Sequence, residues 1–277
     1  MCRYIVDLSS TVRYKTIQNY VSGVISLNNY YGHDVKCIRS EFTFITTMAG
    51  IRRVLGDPTP VRPSFTLSDI LSMYRYVDLR SSSERGMWAC LALSFRSLLR
   101  KSNLVPDTLN NPVGHYIRRG ALSFTSWGLE LTVSSSKTIQ YGQRVFKVPI
   151  TSAPGSPLCA ASLVLAHCVE FPSDDLMSPV FMVRKKDTVV PLTYPALLAF
   201  LKKLLRSAGL EKERAGMHSM RRAGALYMYN LGLSIEDIRQ AGDWASMAAL
   251  LYLTKPFQSR IDTDIVVSKG LVCGWEM

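Results

Sequence analysis

Paired cysteine motifs are missing from this chain. Its six cysteines are Cys2, Cys37, Cys90, Cys159, Cys168 and Cys273; none forms a C-x-x-C pair and their spacing is irregular. A disulfide framework and a cysteine-based zinc site are therefore not expected, and a reducing compartment fits better. Histidine is scarce as well. His33, His115, His167 and His218 are scattered, and only His167-Cys168 forms a close pair. That pair sits in an apolar run, so both read as core residues of a helix. No apolar run reaches membrane-spanning length, and the first residues mix charge and polarity (Arg3, Asp7). Neither a membrane span nor a signal peptide is expected. Internal repeats and low-complexity tracts are absent too. The last shortage is of acid: 21 Asp and Glu face 33 Lys and Arg, for a net charge of +12. Such an excess favours a polyanionic partner, because each neutralised phosphate releases condensed counterions.

What is present is apolar material and local punctuation. Hydrophobic residues make up 47% of the 277, enough to bury a core rather than stay disordered. Three prolines in Asp57-Pro58-Thr59-Pro60-Val61-Arg62-Pro63 cannot continue a helix. Residues 57–63 are therefore a predicted linker between a small helical domain (1–56) and a larger one (64–277). In the first, Ile17, Tyr20, Val21, Val24, Ile25 and Leu27 recur at helical spacing over Thr16 to Tyr31, with Gly32 placed to end the helix. Phe42 to Leu55 reads as a second helix ending in Arg52-Arg53. Fewer than about 70 residues seldom make an ample core alone. This unit is expected to lean on the rest of the chain or on a partner, and it has the look of a truncated domain.

The larger domain is expected to be mainly helical with a small antiparallel sheet. Thr66 or Ser68 is a candidate helix cap. Met87 to Leu99 is an apolar helix that runs into Arg100. Between Gly120 and Ile150, alternation through Leu122, Phe124, Leu129, Leu131 and Val133 predicts strands, with turns at Trp127-Gly128 and near Gly142. Ala160 to Glu170 is helical. Phe181 to Val183 and Val189 to Leu192 suggest a hairpin around the basic turn Arg184-Lys185-Lys186. Helices follow over Pro195 to Gly209, Ser219 to Leu231, from Ser234 onward, and over Ser246 to Leu253, leaving a tail at 257–277.

Chemistry concentrates near the C-terminus. His218-Ser219-Met220-Arg221-Arg222 places His218 and Arg221 three residues apart, on one helical face. Alone, this spacing is as well explained by a surface pair on a basic helix. The small residues of Gly216 to Ala225 add that the helix can pack closely. Gly242-Asp243-Trp244-Ala245-Ser246 follows, and Tyr252 lies eight residues beyond Trp244. Either aromatic on its own reads as core. Upstream stand Arg100, with Arg96 four residues earlier as a competitor, and Lys137 in a predicted turn, with Arg144 and Lys147 as competitors that look more like backbone-phosphate contacts.

Taken in order, these segments resemble the catalytic domain of the tyrosine recombinases, the phage-integrase family. The stretches Arg100-Lys101-Ser102-Asn103-Leu104 and Gly242-Asp243-Trp244 look most like recombinases of eukaryotic mobile elements, the Crypton and DIRS-like groups. The resemblance covers residues 64 to 256 well and the first 60 loosely. It implies a tyrosine-recombinase catalytic domain behind a small helical DNA-binding domain, gripping opposite faces of double-stranded DNA. Tyr252 becomes the nucleophile that forms a 3′-phosphotyrosyl link. Arg100, Arg221 and His218 hold the phosphate, Lys137 protonates the leaving 5′ oxygen, and Trp244 packs on the site. Relatives often carry an acidic residue at the place of Asn103, which supports the first arginine; here an asparagine oxygen is left to accept a hydrogen bond. DNA contacts are expected from Lys15, Arg52, Arg53, Lys101, Arg144, Lys147 and Arg222. The resemblance further implies a homotetramer on DNA, no metal or cofactor, and a nuclear location, or a cytoplasmic one if the source is prokaryotic. Three alternatives stay open: a catalytically silent DNA-binding relic, DNA relaxation of the type IB topoisomerase kind, and a basic all-helical scaffold protein.

Overall fold

The computed structural model describes residues 1–33, 35, 37–56, 64–109, 114–136, 139, 144–210 and 215–244. The expected linker 57–63, the turn near Gly142, the final helix over 246–253 and the tail lie outside these. The chain divides into two compact units, Met1–Val61 and Arg62–Met277.

Among the described residues the small unit holds three α-helices, α1 (Cys2–Ser9), α2 (Tyr14–Tyr30) and α3 (Phe42–Leu55). The apolar stripe read along α2 splits in two. Ile17, Val21 and Ile25 turn inward and join Ile5 and Phe44 in a buried cluster, whereas Tyr20 and Leu27 are exposed. α3 has the limits expected of it. α1 was not expected; its eight residues are too short to show a clear period.

The larger unit is built on α5 (Ser82–Ser97), which is buried along most of its length. It follows α4 (Leu67–Tyr74), whose N-terminus is closed by a capping box between Thr66 and Asp69. α5 begins five residues before the expected Met87. Ser81 caps it by accepting from the Glu84 N–H, so its polar first turn is helical too. The indole of the buried Trp88 donates to the Pro157 carbonyl at 2.7 Å. A single turn, α6 (Lys101–Leu104), follows.

Strands β1 (Leu122–Thr125), β2 (Gly128–Val133) and β3 (Phe146–Thr151) form an antiparallel sheet in that order. The alternation seen in the sequence puts Leu129, Leu131 and Val133 on the buried face, opposite Ile150, Val148 and Phe146. A second hairpin pairs β4 (Met182–Lys185) with β5 (Thr188–Pro191), and the basic residues around its turn are exposed. α7 (Ala160–Glu170), α8 (Tyr194–Ser207), α9 (Met217–Asn230) and α10 (Ile235–Ala241) complete the described unit. α9 starts two residues before the expected Ser219. No described helix is long and apolar enough to cross a membrane.

Candidate active site

α5 and α9 approach until backbone meets backbone. A Cβ built on Gly224 would lie 2.0 Å from the Phe95 carbonyl oxygen and 2.6 Å from a Leu98 methyl. No side chain fits there, so the small residues of the sequence around His218 have a structural cause. Beyond that contact α5 stops abruptly. Leu98 takes a left-handed conformation (φ 53°) although it is not glycine, and it is fully buried. Such a conformation costs a non-glycine residue of order 1 kcal/mol. Burial against Ala225, Ile238 and Trp244 offsets it. Two residues later Arg100 sits half-buried at the N-terminal boundary of α6. One apolar cluster thus fixes the chain leading into Arg100 against the segments that carry Arg221 and Trp244.

Arg221 is 2% exposed, one of the largest fully buried side chains. Its Nη2 donates to the Gly242 carbonyl at 2.7 Å, and its guanidinium lies 4.2 Å from the centroid of the Trp244 ring. A flat cation stacked on a flat indole and tied to a carbonyl has little freedom to turn. The turn that makes this possible is itself constrained. Asp243 has a positive φ of 49°, and a Cβ on Gly242 would collide with the Trp244 ring at 1.9 Å. Arg239 holds the far side: its Nη1 donates to the Trp244 carbonyl at 2.9 Å while its Nε and Nη2 grip both oxygens of Glu236. Hydrogen bonding from Arg239 lowers the Glu236 pKa to about 2. Arg144 pairs with Asp243 and so joins the stretch before β3 to the same turn.

His218, on the first turn of α9, lines an open cleft of about 440 Å³ with Lys101, Arg222, Tyr194, Lys202 and Gly216. The Lys101 ammonium stands 3.9 Å from the centroid of the Tyr194 ring and 2.6 Å from an Asp107 oxygen. A basic cleft with an aromatic wall is suited to a phosphate-bearing chain. Lys147 is paired with Glu130 at 2.8 Å, on the exposed side of the sheet. Asn103 is 1% exposed. Its amide nitrogen donates to the carbonyls of Ser135, at 3.0 Å, and His115, at 3.3 Å. Lys137 and Tyr252 lie outside the described residues. The structure therefore brings together the segments bearing Arg100, Lys101, Arg144, His218, Arg221, Arg222 and Trp244, and ties in the stretch that leads to Lys137.

In the small unit, Lys15 and Arg52 line a groove of about 530 Å³ between α2 and α3. Arg53 is exposed on the last turn of α3. Arg39, which the sequence did not single out, joins the groove and donates to the Ser22 hydroxyl at 2.9 Å. Sequence reasoning also missed Lys202, Tyr194 and Arg239. The α8 stripe shows that its Lys202 faces outward, but nothing local points it at His218.

His167 is a core residue, as the apolar run around it suggests. It is 3% exposed, packed on Phe171 and Phe181, and its Nε2 accepts from the Met182 N–H at 3.1 Å. Burial, aided by the Arg119 charge, lowers its pKa to about 4. It is a neutral packing group remote in character from His218. Among the described residues no cluster of His, Cys, Asp and Glu is placed to hold a metal ion.

No family model matches the sequence, and no curated protein matches it. Solved structures do match. One is the Tn1549 transposon integrase (residues 82–397) in complex with circular intermediate DNA. It is similar over 95% of this chain and 83% of that one, at 14% identity and a TM-score of 0.61. The XerH site-specific recombinase bound to palindromic difH substrate is similar over 100% and 71%, at 13% identity and a TM-score of 0.62. A lambda integrase (75–356) dimer bound to a COC′ core site is similar over 91% and 93%, at 14% identity and a TM-score of 0.52. The chain has the fold of the tyrosine recombinases, mainly helical with small antiparallel sheets.

Proposed function

We propose that this chain is a site-specific DNA recombinase that cuts and rejoins strands through a tyrosyl ester. The observation that carries the reading is Arg221, buried under Trp244 and locked by the Gly242 carbonyl, one helical turn from a histidine that faces a basic cleft. Burying a guanidinium is costly unless hydrogen bonds and packing offset it, and a fixed planar donor suits a phosphate in transit.

In this reading the Tyr252 oxygen attacks phosphorus and gives its proton to His218. The P–O5′ bond breaks as Lys137 gives the departing oxygen a proton, and a 3′-phosphotyrosyl ester remains. A 5′-hydroxyl from the partner strand then attacks that ester, breaks the P–O bond to tyrosine and restores the enzyme. Arg100 and Arg221 bind the nonbridging oxygens throughout. Ester energy is retained at each step, so the exchange consumes no nucleotide triphosphate. Exchange between two duplexes requires four active sites, hence a tetramer on DNA. Lys15, Arg52, Arg53, Lys101 and Arg222 serve as backbone contacts, and Arg144 and Lys147 would do so once released from Asp243 and Glu130. Kinship with eukaryotic mobile-element recombinases, and with it a nuclear site of action, belongs to the same proposal.

The test is a pool of end-labelled duplexes with random sequence around a nick. The nick lets the short product diffuse away and traps the covalent stage. Detergent-resistant protein–DNA adduct with the wild-type chain, absent from Tyr252→Phe, is expected, and sequencing the trapped DNA gives the site. Shifted bands without any adduct would leave a DNA-binding relic. Relaxation of supercoiled plasmid at no preferred sequence would favour the topoisomerase reading.

A further inference from the structure

The turn of Gly242, Asp243 and Trp244 holds two arginines. The Gly242 carbonyl and the Trp244 ring fix Arg221. The residue between them, Asp243, carries a carboxylate that pairs with Arg144, 99 residues upstream. The bond runs from the Arg144 Nη2 to the Asp243 Oδ1. It ties the stretch before β3 to the turn that carries the candidate phosphate ligands.

Two features set this pair apart from an ordinary surface bridge. The first is the conformation of the acid. Asp243 has a φ of 49°, a left-handed conformation that disfavours any residue with a side chain. Glycine would fit the turn better, yet a carboxylate stands there. Strained positions of this kind cluster at ligand clamps and switches. The second is which partner faces water. The Arg144 side chain is 45% exposed and that of Asp243 only 15%. In the Lys101–Asp107 pair the order is reversed, 41% for the lysine against 60% for the acid. A phosphate arriving from solvent therefore finds the Arg144 guanidinium more open than the carboxylate it would replace.

An acid beside Arg221 is also a liability in a site meant for a polyanion. It repels the phosphate unless its charge is matched. Arg144 matches it in the free chain. A DNA phosphate can offer the same guanidinium two oxygens, where Asp243 supplies one.

We propose that Asp243 is a built-in stand-in for a DNA phosphate: its carboxylate occupies Arg144 in the free chain, and a duplex must displace it to win that contact. This rests on the recombinase reading above and adds regulation to the same site. The pair sets a threshold. A duplex that touches the chain in passing leaves Arg144 on Asp243, whereas one seated along the site draws the arginine away and loosens the tie between the sheet and the turn.

The test is binding of the full chain to the random-sequence duplex pool, without a nick, at fixed salt. Asp243→Asn keeps the size of the side chain, tolerates a positive φ and removes the charge. It should bind about fivefold tighter than wild type. Arg144→Ala should bind more weakly than wild type, and adding Asp243→Asn to it should change nothing further. The same gain in both backgrounds overturns the proposal, because the carboxylate would then act by charge alone. Weaker binding by Asp243→Asn overturns it as well, since the pair would be placing Arg144 for the DNA and not withholding it. So does an unchanged affinity. Should asparagine unfold the larger unit, Asp243→Gly, which suits the turn, takes its place. Loss of the cooperative thermal transition in both variants would make the carboxylate a structural tie and end the proposal. A wild-type chain that binds no duplex removes the recombinase reading and this inference together. If the wild type forms the tyrosyl adduct while Asp243→Asn gains no affinity, the reading stands and the inference falls alone.

Discussion

The two units of this chain solve the same problem with very different means. In the larger one, α5 and α9 touch backbone to backbone at Gly224, and a buried cluster around Leu98 fixes the approach to Arg100. Among the described residues, Arg221 and the turn at Gly242 and Trp244 are held from more than one side. Among the described residues of the small unit the buried set is Ile5, Tyr14, Ile17, Val21, Ile25 and Phe44, while Tyr30, Tyr31, Phe42 and Val54 are exposed. A core of that size is thin for independent stability. Under the proposed function, precision belongs to the unit that holds the reacting atom, and a unit that only rests on a polyanion can be marginal, because binding supplies the missing stability.

The largest effect that would break this contrast is a side chain at the helix crossing. Gly224→Val places a branched group on the Phe95 carbonyl, which cannot step aside without separating α5 from α9. Loss of the cooperative thermal transition of the larger unit is expected, beyond the about 1–3 kcal/mol of ordinary overpacking. Retention of a sharp transition would mean the crossing is not rigid.

Acid offers a second probe of the same unit. His167 titrates near 4 when folded and near 6.5 when free, so the unfolded chain takes up the proton first. Stability is then complete above about pH 6.5 and declines as the pH falls toward 4, by up to about 3 kcal/mol. The urea midpoint should drop between pH 7 and 4.5, and by less in His167→Gln. An equal drop in both would place the acid sensitivity elsewhere.

A subtler change sharpens the small unit's side of the comparison. Ile17→Val removes one buried methylene and should cost about 1 kcal/mol. In a thin core this should appear as faster amide exchange across α1 to α3, and DNA should reverse most of it. The smallest effect is electrostatic. Lys15→Ala and Arg52→Ala should each reduce the slope of log binding constant against log salt by about one unit, with no change in preferred sequence.

Much of this architecture was legible. α3 and α7 have the expected limits because both begin and end at clear changes of pattern. α5 was entered late because Ser81-Ser82-Ser83-Glu84 looks like loop, although a serine three residues before a glutamate is a capping signal. The left-handed Leu98 had no signal at all: its conformation is imposed by Ala225, Ile238 and Trp244, more than a hundred residues on. At the site, the segments that lead to Arg100 and carry Arg221 and Trp244 meet in the structure, while the hydrogen-bond partners were not legible at Asn103. Its oxygen was expected to accept a hydrogen bond, in place of a carboxylate. The structure shows its nitrogen donating, to acceptors that lie 12 and 32 residues downstream and are main-chain atoms. Backbone carbonyls have no side-chain identity, so no reading of residue types could have located them. Arg144 and Lys147 illustrate the same limit, since their partners Asp243 and Glu130 are brought close only by folding.

The bare backbone at position 242 has a consequence for how this chain can change over generations. The indole of Trp244 lies where a methyl group at 242 would be. Position 242 therefore cannot drift alone: a residue larger than glycine becomes tolerable only after the ring two places on has shrunk, for example to imidazole. Across related chains the two sites should vary as a pair, with the ring changing first and the glycine second.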